Sequence, residues 1–179
     1  MVDAGREGSV HVEFSSGLSR EHRELAAGAA LPELLEGALR DLGRVPAGVN
    51  CRLTTPSELR GLNRRFAGID SSTDVLAFPA AEASPGADFR LPPGEDRFLG
   101  DVVISVATAS HQAAAAQTGL GDELRLLAVH GLLHLLGQDH ADRGDAAEMT
   151  ATTRWLLSRA AARRRRPPPP VPELQPPGE

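Results

Sequence analysis

The sequence has no lysine and no tyrosine, and a single cysteine in 179 residues. One cysteine, Cys51, excludes an internal disulfide and suits a reducing compartment. It lies in the strand-like run "NCRLTT", where a buried structural thiol is expected. No apolar run approaches the roughly 20 residues that span a bilayer. The first residues lack a basic stretch followed by an apolar one, so a cytoplasmic protein without membrane attachment is expected. With five Phe and one Trp, stacking of nucleic-acid bases on aromatic rings is not prominent. All 19 basic residues are arginine, and the net charge is −5. An anionic partner would therefore have to be met by a local patch and not by the overall field.

What is present divides into three parts. Residues 1–9 are small and polar and are expected to be flexible. Residues 163–179 open with Arg163 to Arg166 and continue as "PPPPVPELQPPGE", which cannot pack as a helix or a central strand. This tail is expected to be extended and disordered. Between them, residues 10–162 read as one domain.

Within that domain "VHVEF" (10–14) alternates with period two, and "NCRLTT", "VLAFPA" and "VVIS" are further strand candidates. Residues 19–42 are helical in pattern, with Pro32 dividing them. Thr55, Pro56 and Glu58 form a capping-box signature, and Leu59, Leu62 and Phe66 supply that helix's inner face. Residues 81–97 are a loop candidate. An alanine-rich helix stops at Gly119, Asp122 is a candidate cap for the next helix, and a last helix spans about 145–162. The expectation is an α+β fold: a small mixed four-stranded sheet packed with about five helices.

The stretch "AVHGLLHLLGQDH" (128–140) contains the chemistry. His130 and His134 are four apart, so on a helix they share one face. The surrounding residues are apolar almost all round, which makes this a central helix. Unpaired imidazoles there would be costly, and metal coordination of the neutral ring removes that cost. Gly137 suits the left-handed residue that ends a helix, and the reversal can bring His140 beside the first two histidines. Three histidines with a fourth position open to water is a catalytic zinc pattern, here one ion per chain. His11, His22 and His111 have no such company and are assigned no role.

The spacing H-x-x-x-H-x-x-G-x-x-H is metzincin-like. Metzincins place a glutamate base directly after the first histidine, where this chain has Gly131. A glycine in a helix interior costs about 1 kcal/mol against alanine. Something needs the space, either a packed neighbour or a substrate. A metallopeptidase is correspondingly disfavoured.

Three stretches resemble the YbeY family of bacterial rRNA maturation factors. They are "LNRRFAGIDSSTDVLAFP" (62–79), "LGDVVIS" (99–105) and "HGLLHLLGQDH" (130–140), with Met149 following. The resemblance implies a zinc-dependent endoribonuclease specific for single-stranded RNA. It implies roles in 16S rRNA 3′-end maturation and late 70S ribosome quality control. It also implies zinc on His130, His134 and His140, and partnership with rRNA and the ribosome or its small subunit, with no DNA expected. The chain departs from the family in having Ala67 after Phe66 where an arginine is usual, Ala77 for a serine and Gln138 for a tyrosine.

No general base stands out. Asp139 is a candidate, equally able to orient an imidazole. Asp142 and Asp145 read as helix caps, Asp101 as a structural carboxylate and Met149 as packing. Arg60, Arg64 and Arg65 form the candidate RNA-binding patch, with Arg163 to Arg166 as an added tether. A ribosome-assembly binding factor with a structural zinc is the alternative from another class.

Overall fold

The computed structural model describes residues 9–80, 98–138 and 142–175. In chain order these form β1 (Val10–Phe14), α1 (Arg20–Ala27), α2 (Leu31–Asp41), β2 (Gly48–Thr54) and α3 (Pro56–Phe66). There follow β3 (Val75–Pro79), β4 (Phe98–Ser105), α4 (Val106–Ala115), α5 (Leu120–Leu135) and α6 (Arg143–Arg164). The loop expected at 81–97 and residues 1–8 lie outside the described residues.

The four strands form one mixed sheet in the order β1-β2-β4-β3. β1 runs parallel to β2, and β2 parallel to β4. β3 is antiparallel to β4, with Val75 opposite Ile104 and Phe78 opposite Asp101. The α+β expectation is correct. Six helices are formed among the described residues; the 19–42 region is two of them, as expected, with Pro32 in the first turn of α2, where its missing N–H costs nothing.

Helix α5 is the centre of the molecule. Leu124, Leu127, Ala128, Val129, Leu132, Leu133 and Leu135 are buried, and the helix touches β3, β4, α1, α2, α4 and α6. Val49, Cys51 and Leu53 on β2, with Val102 and Ile104 on β4, belong to the same core cluster. Cys51 is fully buried, as expected, and burial pushes its thiol pKa up to about 12. Met149 also packs in this cluster.

Capping differs from expectation at one helix and agrees at another. Gly119, without a side-chain cap, precedes α5, and Asp122 instead pairs with Arg125 at 2.6 Å in the first turn. Asp142 does cap α6, accepting from the backbone N–H groups of Gly144 and Asp145. Phe66 also departs from its assigned inner face. It is 61 % exposed and packs edge-on against Phe78, centroids 5.2 Å apart.

The proline-rich run has neither helix nor strand, yet it is not detached from the domain. α6 continues to Arg164, and Val171 and Leu174 pack against the core. Arg163 reaches across α2 to Asp41, donating at 2.6 and 2.8 Å, and Arg159 meets the same carboxylate at 3.0 Å.

Candidate functional site

His130 and His134 stand one turn apart on α5 and share one face of it. Their rings meet edge to face with centroids 4.6 Å apart, and their Nε2 atoms approach to 3.1 Å. Two nitrogens held by one tetrahedral zinc, each about 2.0–2.1 Å from it, would stand about 3.3–3.4 Å apart. The pair therefore fits a shared divalent ion of that kind.

The helix ends as its glycine requires. Gly137 has φ +81°, and its N–H donates to His134 O while Gln138 N–H donates to Leu133 O. That is a Schellman reversal, which turns the chain immediately after the second histidine. Asp139 and His140 lie outside the described residues. Among the described residues no group of three potential ligands is gathered.

Gly131 has its reason in the sheet. A Cβ at this position would lie 2.5 Å from Val102 Cγ1 and 3.3 Å from Val75 Cγ2. The bare backbone of α5 rests on the β3–β4 pair here. The position where a metzincin carries its base faces the core.

Beside His130 lies a cleft of about 170 Å³. Asp74, Gln112, Glu123, Thr153, Val171 and Leu174 are among its walls. Asp74 follows Thr73 in the segment leading into β3. Its carboxylate accepts from Val75 N–H and from Gln112 Nε2, both at 2.8 Å. Glu123 is seven residues before His130, on the same side of the helix. Burial, and then the nearby Asp74 charge, hold the Glu123 carboxyl above the ordinary glutamate range.

Sequence reasoning missed Asp74, Gln112 and Glu123. The seven-residue offset from Glu123 to His130 was the available signal. It also missed Asn63, which is buried and donates to Ser71 O, pinning the loop that leads to Asp74.

The arginine patch is only partly available. Arg60 grips Asp70 through two hydrogen bonds at 2.8 and 3.0 Å. Arg65 lies over the Phe66 ring at 5.2 Å, and Arg64 is exposed. Asp101 is hydrogen-bonded by Asn50 across the β2–β4 pair at 2.8 Å, consistent with a structural carboxylate.

Sheet and site together place the chain among α+β proteins built around a buried His-x-x-x-His helix. Residues 21–161 match the sequence profile of the family described as Endoribonuclease YbeY. Endoribonuclease YbeY of Moorella thermoacetica is 43 % identical over 112 residues, 63 % of this chain and 72 % of the relative. That of Chloroflexus aggregans is 44 % identical over 133 residues, 73 % of this chain and 85 % of the relative. That of Mycolicibacterium gilvum is 36 % identical over 150 residues, 83 % and 81 % of the two chains. The solution structure of a Thermotoga maritima protein shares the fold, with a TM-score of 0.56 at 23 % identity over 87 % of this chain and 91 % of that one. The chain belongs to the YbeY family.

Proposed function

We propose that this protein is a zinc-dependent endoribonuclease that cuts single-stranded RNA. Its work would be 16S rRNA 3′-end maturation and late 70S ribosome quality control, in the cytoplasm and in contact with the small subunit. Membership of a family whose relatives are named endoribonucleases supports the activity. The observation that carries the metal reading is the 3.1 Å approach of the His130 and His134 Nε2 atoms. No described helix is long and apolar enough to cross a membrane, which is compatible with that location.

In this reading His130, His134 and His140 hold one zinc ion through neutral imidazole nitrogens. Bound zinc supplies a Lewis acid for a phosphoryl oxygen and lowers the pKa of its water to about 7. Both rings stand on a helix whose neighbouring residues Val129, Leu132, Leu133 and Leu135 are buried, so the element that would present them is itself held by packing. Asp139, next to His140, is the candidate to orient that ring or to handle a proton. Arg64 and Arg65 face solvent and would meet backbone phosphates. Arg60 contributes less, because Asp70 already occupies its guanidinium.

A peptidase reading is disfavoured by the same helix, since Gly131 offers no base and its place is taken by Val102. The test is metal analysis combined with cleavage of a single-stranded RNA and of an unstructured protein. One zinc per chain with cleavage of RNA alone supports the proposal. Zinc-dependent cleavage of protein without cleavage of RNA would replace it with the peptidase.

A further inference from the structure

The C-terminal segment returns over the cleft that contains His130. α6 ends with Arg165 in the left-handed region, φ +52°, and the chain reverses. The proline-rich run then travels back along α6 far enough for Leu174 N–H to donate to Thr150 Oγ1 at 3.1 Å. Thr150 is buried and donates its own proton to Ala146 O, so its oxygen is set as an acceptor for the tail. Arg154 fastens the segment from the side, reaching Val171 O at 3.2 Å and Glu173 Oε1 at 2.5 Å. Val171, Pro172 and Leu174 thereby form one wall of the cleft whose opposite wall is Glu123, Leu127 and His130.

We infer that residues 171–174 are an autoinhibitory strap across this cleft, and that an RNA strand enters by displacing it. The fastening is light. It consists of two hydrogen bonds to the tail backbone, two half-buried apolar side chains and a largely exposed ion pair, and exposed pairs hold weakly. A polyproline-type segment makes no internal hydrogen bonds that must break when it lifts. The latch is also chemically matched to the incoming strand. Glu173 presents to Arg154 the same anionic oxygens that an RNA phosphate would, so the arginine can exchange one for the other. Displacement by RNA rests on the endoribonuclease reading above; closure of the cleft does not.

The test compares the full chain with one ending at Pro170, with two readouts. The first is carbethoxylation of His130 in chelator-treated protein, followed by mass spectrometry, with exposed His11 and His111 as internal references. The second is the KM for a single-stranded RNA in the zinc-loaded protein. If the strap is seated about nine-tenths of the time, removing it speeds His130 modification about tenfold and lowers KM by a similar factor. Equal His130 modification in the two chains overturns the strap, whatever the RNA result. Faster modification with RNA cleavage present but KM unchanged overturns the gating. Faster modification with no RNA cleavage by either chain keeps the closed cleft and removes the endoribonuclease reading instead.

Discussion

Gly131 of α5 lies against Val102 of β4 so closely that a Cβ on the glycine would come within 2.5 Å of Val102 Cγ1. This contact explains a sequence feature that chemistry alone left ambiguous. The residue after the first histidine is small because the helix sits on the sheet there. Replacing Gly131 with alanine gains helix propensity of about 1 kcal/mol but overpacks the core, which typically costs 1–3 kcal/mol. Gly131→Ala should therefore lower stability, and Val102→Ala in the same chain should recover part of the loss. Urea titration of the two single variants and the double variant measures the coupling. Purely additive effects would deny the contact.

Asp41 ties α2 to the end of α6. Its side chain is 7 % exposed and receives both Arg159 and Arg163. Two of the arginines flanking the tail are thus engaged in the fold or beside it, since Arg164 also approaches Ala29 O at 3.4 Å. Asp41→Ala should destabilise by about 1–2 kcal/mol, because the arginines are partly solvated while the carboxylate is not. Thermal denaturation at low and high salt checks this, with a small salt response expected from the buried carboxylate.

Two glutamates should respond to pH in opposite senses. Hydrogen bonds from Ser15, then Thr54, hold the Glu58 carboxyl below its usual range. A lowered folded pKa stabilises the fold above the unfolded value, and that contribution is lost as pH falls through the folded one. Glu58→Gln should lower Tm at pH 7, with the deficit shrinking toward and below about pH 4. Glu123 is shifted upward by burial and by Asp74. Its ionised form is penalised at neutral pH and the penalty vanishes in acid, so Glu123→Gln should raise Tm at pH 7 and change little in acid. Tm against pH for the three chains decides both signs.

Cys51 should be inert. Its thiol is fully buried with its pKa pushed up to about 12, and only the thiolate reacts. Iodoacetamide should label it only with the unfolding of the chain. Rapid labelling under native conditions would contradict the packing of β2 in the core.

Periodic features were legible in the sequence, and features made by contacts between distant segments were not. The alternation in "VHVEF" and the apolar girdle of α5 depend on local geometry, and both formed where expected. Gly137 was readable for the same reason, since a helix end needs only its own turn. Phe66 fell at a helical core position but faces outward, because its partner is Phe78 on a strand that periodicity cannot place. The cleft was invisible because Asp74, Gln112 and Glu123 come from three elements with no shared spacing except that of Glu123 to His130. Composition bears only on the local backbone of the proline-rich run, which has neither helix nor strand over residues 167–175. It could not foresee that Val171 and Leu174 would find a seat against Thr150 and Arg154.

In the proposed function, the converging imidazoles of α5 bind the zinc on which RNA cleavage depends. Zinc content by mass spectrometry and cleavage of a single-stranded RNA, measured on the wild type and on folded His134→Ala, test it together. One zinc per wild-type chain is expected, with loss of both zinc and cleavage in the variant. Undiminished cleavage by folded, zinc-free His134→Ala would contradict it.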